Sequence, residues 1–304
     1  MKYKNPVIDL DFADPSIIKA DDGKYYLYGT RSYAANNHTH IQVAHSTDFF
    51  HWTYVGEAMP QKPSWAQNTI EFWAPHVLYA NGMYFLYFST QKDGGEEFCI
   101  GVACSKNPAG PFIPVDTPIM CGHGFTTIDP MGYEDPISHK KYLIWGSGHG
   151  PIRIQELADD LISLKPGSTS HILLEPSDKP FENLIEGAYL FYKNDWYYLF
   201  YSGDDVWKQG RYAVMVARSK NILGPYEKKA DALGLADSVM LRGNTRWDSP
   251  GQNSIIEEQG RVWTFYHAVD LKKRLNERTN QLRRVVMMSE VIFDNGWPKK
   301  VDSI

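Results

Sequence analysis

Cysteine is scarce in this chain. Three occur in 304 residues, Cys99, Cys104 and Cys121. The number is odd and no C-x-x-C spacing is present, which argues against a disulfide framework and a zinc knuckle and leads to an expectation of reduced, partly buried thiols. Basic charge is nowhere concentrated. Lys and Arg number 31 against 36 Asp and Glu, a formal net charge of -5, and the mixture leaves no block suited to nucleic acid or an anionic membrane. Long hydrophobic runs are also missing. The opening Met1-Lys-Tyr-Lys-Asn-Pro6 lacks the apolar stretch of a signal peptide, and no segment approaches the roughly 20 residues of a membrane-spanning helix. The expected location is the cytoplasm, or outside the cell if the sequence starts after a removed signal. A long apolar stripe of helical period is absent too, because Gly and Pro interrupt every run.

What the chain does have is aromatic residues, 14% of the total, set in a repeated phrase. A residue followed by Pro or Gly opens a short apolar strand, a polar turn follows, and an aromatic strand closes the unit. The copies run from Asp14-Pro-Ser to Thr30, Ala74-Pro-His to Ser89, Asp129-Pro-Met to Ser147, Glu186-Gly-Ala to Ser202, and Pro250-Gly-Gln to His267. Their period of roughly 55–65 residues is of the kind that signals a radial or stacked architecture. Further strands follow each copy, such as Ile41 to Ser46, Cys99 to Ser105, Ile152 to Leu157, Tyr212 to Ser219 and Arg284 to Phe293, with Gly/Pro-rich turns beyond several of them. Four strands in each of five units predict an all-β, five-bladed β-propeller. The repeat favours one domain over residues 1–304, a length within the range of single all-β domains.

Three copies carry an acid at the opening: Asp14, Asp129 and Glu186. Asp before Pro is an ordinary turn starter, so none of the three means much alone. In a radial array they converge on the axis, where like charges repel unless they are used or neutralised. Carboxylates gathered without a metal-ligand cluster suit glycoside hydrolysis. One must be protonated to reach the leaving oxygen, and another ionised to activate water or attack the sugar.

Ala13-Asp14-Pro15, Thr127-Ile-Asp129-Pro130 and Ile185-Glu186-Gly187, with Phe72-Trp73-Ala74-Pro75 and Asp294-Asn-Gly-Trp-Pro298, resemble glycoside hydrolase family 43 in order and spacing. The resemblance implies a five-bladed propeller of inverting hydrolases acting mainly on α-L-arabinofuranosides and β-D-xylosides. By position it implies Asp14 as general base, Glu186 as general acid and Asp129 as the residue that tunes and orients Glu186. Inversion would then place Asp14 and Glu186 roughly 6.5–9.5 Å apart. The expected substrate is an arabinose- or xylose-containing plant oligosaccharide, with exo-acting arabinofuranosidase as the leading reading. β-Xylosidase and endo-arabinanase are alternatives, and a non-catalytic sugar-binding propeller is the alternative from another class.

Four other residues are expected at the substrate. Trp73 offers a flat apolar face. The resemblance aligns Arg284 with an arginine that often hydrogen-bonds substrate hydroxyls in the family, and strand alternation sends only one of Arg283 and Arg284 inward. His76 and His267 could each face the axis. Relatives often have His where this chain has Gln252, near an axial ion; the substitution puts a structural calcium in doubt, and no metal or cofactor is expected to be required. His38-Thr-His40 reads as a loop rather than a metal site.

Overall fold

A computed structural model describes residues 3–33 and 38–301. Its strands form five antiparallel sheets. Blade 1 contains Ser16–Lys19, Tyr25–Gly29, Gln42–Ser46 and Thr53–Glu57. Blade 2 contains Phe72–Ala80, Met83–Gln91, Glu97–Ser105 and Ile113–Pro114, and Met120–His123 also pairs with its third strand. Blade 3 contains Met131–Glu134, Lys141–Trp145, Ile152–Glu156 and His171–Leu174. Blade 4 contains Glu186–Lys193, Trp196–Asp204, Tyr212–Ser219 and Glu227–Lys228, with Val239–Leu241 added to its third strand. Blade 5 contains Trp247–Glu258, Arg261–Asp270, Arg284–Asp294 and Trp297–Lys300. The five-bladed propeller is therefore present, with helix confined among the described residues to Lys229–Leu233 and a 3-10 turn at Phe125–Thr127.

Local sequence explains the hairpins. Asn81-Gly82, Asn194-Asp195, Gln259-Gly260 and Asn295-Gly296 close two-residue turns in which both φ angles are positive. That turn matches the right-handed twist of the flanking strands and favours Asn, Asp and Gly. The core lies between blades. Tyr28, Phe72, Tyr84, Phe88 and Phe112 are fully buried in one such cluster, so the aromatic strands pack on both faces. The ring closes through the N-terminal segment: the Val7 amide donates to Val286 O at 2.8 Å and the Phe12 amide to Arg284 O at 2.7 Å.

The expectation of reduced thiols fails for two of the three cysteines. Cys99 and Cys121 form a disulfide, while Cys104 is free. Their 22-residue separation hides the pairing. It becomes visible only when Met120–His123 folds back on the third strand of blade 2 and sets Cys121 opposite Cys99.

The repeat has a feature the sequence phrase misplaces by one residue. Five positions at the openings of the inner strands have positive φ: Asp14, Ala74, Asp129, Gly187 and Gln252. In blades 2, 4 and 5 they fall within a register shift of the inner hairpin, a β-bulge that turns the chain toward the axis. Glu186 is thus not equivalent to Asp14 and Asp129. Gly187 is, and Glu186 shares the preceding position with Trp73. A Cβ at Gly187 would meet the end of the Gln252 side chain at 2.4 Å, so a larger residue in this socket would have to displace that amide.

Three of the five socket amides donate to a hydroxyl near the end of the second strand of the preceding blade, and a fourth, that of Asp14, faces His267 at the same place, taking blade 5 as preceding blade 1. Ala74 N reaches Thr30 Oγ1 at 2.9 Å, Asp129 N reaches Ser89 Oγ at 2.9 Å, Gln252 N reaches Ser202 Oγ at 2.8 Å, and Asp14 N reaches His267 Nδ1 at 3.3 Å. The seam from blade 3 to blade 4 differs. Gly146 pairs there as Thr30 does in blade 1, its amide bonding Ile128 O as the Thr30 amide bonds Ala13 O. Glycine has no side chain to offer, and the Gly187 amide donates instead to Asp129 Oδ2 at 3.0 Å.

Candidate active site

The sockets place Asp14, Asp129 and Glu186 around one cavity of about 420 Å³. Trp73, Arg31, Glu71, Gln281 and Arg284 form part of its wall, and Phe125 and Trp207 also border it. A smaller cavity of about 30 Å³ continues along the axis between the inner strands and is lined by His76, Ser16 and Asn253 among others.

Asp14 is enclosed by donors. Burial opposes its ionisation, but Arg284, His267 and Thr30 outweigh burial and hold its carboxyl well below the usual carboxylate range. Arg284 Nη1 lies 3.1 Å from Asp14 Oδ1, His267 Nδ1 lies 3.1 Å from the same oxygen, and the Thr30 hydroxyl donates to Oδ2. Charge-assisted hydrogen bonds of this kind favour the ionised form.

Asp129 and Glu186 are pushed the other way. Burial raises Asp129 most, and the neighbouring charges of Glu186 and Asp14 add to it against the donors Gln252 Nε2, at 2.8 Å, and the Gly187 amide. Burial also raises Glu186, against Tyr212 and Ser147, with Asp14 adding to the rise. Tyr212 donates to Glu186 Oε1 at 2.6 Å and Ser147 to Oε2 at 2.9 Å. One carboxyl is thus held ionised and two are favoured toward protonation, the division of labour acid–base chemistry needs.

Trp73 donates its indole N–H to Glu71 at 2.7 Å and stacks with Phe98 and Phe125. Glu71 also receives Arg31 in a two-point ion pair. Arg284 faces the cavity, whereas Arg283 bonds Asp9. Two expectations are corrected. His76 lines the small axial cavity rather than the wall of the large one. Burial pushes it down to about 3, so it is neutral. His267 is fully buried and faces Asp14, with its ring parallel to Tyr212, so it cannot touch substrate directly. Strand position could not distinguish lining the axis from lining the cavity.

Sequence reasoning missed Tyr212, Ser147, Glu71, Arg31 and Trp207. Tyr212 and Ser147 sit at repeated strand positions, but no motif marks them. Trp207 belongs to a loop outside the repeat, and only its isolation among polar residues distinguishes it. Trp207 and Phe125 are 62% and 55% exposed, unusual for large apolar side chains beside a polar cavity.

The buried atoms Ser16 Oγ, His76 Nδ1 and Asn253 Oδ1 lack a hydrogen-bond partner. They are neutral, and the cavity beside them has room for roughly one water. Calcium takes six to eight oxygens, with affinity set largely by charged ones; the two carboxyls on this cavity, Asp14 and Asp129, are already engaged by Arg284, Thr30, Gln252 and the Gly187 amide, so the atoms left unpartnered fit water better than calcium. Among the described residues no three His, Cys, Asp or Glu side chains come together as a metal site.

A propeller that gathers one ionised and two protonation-prone carboxyls in an axial cavity has the layout of a glycosidase. Comparison with known proteins agrees: the chain belongs to glycosyl hydrolases family 43, which it matches over residues 3–298, and it is an inverting glycosidase. It is 27% identical to the extracellular exo-α-(1→5)-L-arabinofuranosidase ArbA of Cellvibrio japonicus, over 97% of this chain and 88% of that protein. It is 26% identical to an extracellular endo-α-(1→5)-L-arabinanase of Thermotoga petrophila, over 84% of this chain and 64% of that one. In fold it resembles the Cellvibrio cellulosa α-L-arabinanase solved with arabinohexaose, with a TM-score of 0.78, 24% identity and 96% of each chain covered.

Proposed function

We propose that the protein hydrolyses α-L-arabinofuranosidic bonds with inversion, releasing terminal arabinose units from plant-derived oligosaccharides. The observation that carries the mechanism is the opposed environment of Asp14 and Glu186. Asp14, ionised between Arg284, His267 and Thr30, accepts a proton from the attacking water. Glu186, favoured toward protonation by burial, gives its proton to the leaving oxygen. Asp129 reaches the Gly187 amide next to Glu186 and raises the cost of a second charge there. Arg284 and Trp73 hold the sugar. Arabinose is supported by the names of the relatives. Exposed Trp207 and Phe125 at the cavity mouth suit a chain of sugars, since aromatic faces are apolar platforms.

Endo-arabinanase is the second reading, because several curated relatives carry that name. A β-xylosidase is the third, after a putative β-xylosidase of Xylanibacter ruminicola at 26% identity, of which the chain spans 49%. Assays with nitrophenyl arabinofuranoside and nitrophenyl xyloside separate the sugars, and the products of linear arabinan separate exo from endo action. Asp14→Asn and Glu186→Gln are each expected to lower kcat by about 10²–10⁴-fold in folded protein. Glu186→Gln should spare substrates with acidic phenol leaving groups. Near-wild-type kcat in either variant, or a retained anomer in proton NMR of the first product, would overturn the mechanism.

A further inference from the structure

We propose that Ser147 is a positioning residue for Glu186, standing one residue past the blade-fastening position and so free of that duty. The inference rests on the reading of Glu186 as proton donor and adds what holds that donor in place. At three seams a hydroxyl accepts the next blade's socket amide, and at a fourth His267 stands in that place. At the blade 3–4 seam Gly146 occupies that position and Asp129 takes over the Gly187 amide.

Two displacements of one residue therefore coincide. The serine of blade 3 follows the fastening position instead of occupying it, and the acid of blade 4 precedes its socket instead of filling it. They meet: Ser147 Oγ donates to Glu186 Oε2 at 2.9 Å. Ser147 is 2% exposed, so water is a poor substitute for this bond.

Glu186 has a second donor, Tyr212, on Oε1. A planar carboxyl held at both oxygens cannot turn about its terminal torsion. Held at one, it can, because that torsion is broad and twofold. Asp129 from blade 3, Asp14 from blade 1 and Arg284 from blade 5 also act on Glu186, while the Ser147 hydroxyl bonds Glu186 itself. A hydroxyl donating to the carboxylate favours its charged form. Its removal should therefore raise the acid's pKa and carry the alkaline limb of the pH profile upward.

The test compares Ser147→Ala with Ser147→Thr and with Ser202→Ala, whose hydroxyl fastens the blade 4–5 seam. Ser147→Ala is expected to lower kcat about 10-fold on an arabino-oligosaccharide and far less on a dinitrophenyl arabinofuranoside. Its alkaline limb in kcat/KM should rise by about one pH unit. Ser147→Thr, which keeps the hydroxyl, should restore both. Ser202→Ala should lower Tm and leave the alkaline limb where the wild type has it. An unmoved limb in folded Ser147→Ala, or equal losses across leaving groups, overturns the proposal. Glu186→Gln run alongside separates the two claims. If it stays active the glycosidase roles fail, and if it is inactive while Ser147→Ala behaves as wild type, only the positioning role fails.

Discussion

At the scale of single residues the site is a contrast between two carboxyls with similar intrinsic acidity. Asp14 is buried and Glu186 partly so, and only Asp14 has a guanidinium on it. Arg284 is therefore predicted to set both limbs of the pH profile. Its positive charge lowers the pKa of Asp14 and, to a smaller degree, that of Glu186. Arg284→Ala raises both values. Because the base must be ionised, the acid limb of kcat/KM should move up by roughly 1–3 pH units; because the acid must be protonated, the alkaline limb should follow by less. A profile that drops in height with neither limb displaced would show that Arg284 only binds sugar. The three carboxyls were legible as an acid-bearing repeat. Their partners were not, because Tyr212 and Thr30 look like any other strand residues and acquire a role only from the residue across the seam.

At the scale of elements, the regular strands were readable and the added ones were not. Alternation, hairpin turns and Gly/Pro breaks marked four strands per blade. Met120–His123 and Val239–Leu241 are extra strands lying outside the four-strand repeat, so no periodicity announced them. The first of these carries Cys121 and leads directly to Phe125. The disulfide thus fastens the segment that places Phe125 against Phe98 and Trp73. Reduction, or Cys121→Ser, is expected to cost about 2–4 kcal/mol of stability, read as a lower Tm. It should also raise KM for oligosaccharides more than it lowers kcat. Identical Tm and KM with and without reductant would rule out this fastening role.

At the scale of the whole molecule, five similar sheets are made into one ring by small polar bonds at the axis and aromatic layers between blades. The propeller was legible because its repeat recurs five times. The one-residue offset of Glu186 was not, because the sequence phrase aligns it with Asp14 and only the strand register separates them. The axial cavity, with its neutral unpartnered atoms, bears on the ion question. EDTA is expected to leave kcat and Tm nearly unchanged, whereas a Tm that collapses with chelator and recovers with calcium would show that an ion holds the axis together.

The register offset has a stereochemical consequence. Inversion requires water to attack the anomeric carbon from the side opposite the leaving oxygen, which takes the proton. A repeat that set every acid in the same socket would aim them alike, as copies related by rotation. Moving one acid back by a single residue gives its side chain a different bearing, since neighbouring residues of a strand point to opposite faces. With glycine at the fourth socket, the acid of that blade stands one place earlier. On the proposed mechanism, the handedness of the product would then trace to a slip of one peptide unit in an otherwise repeating ring.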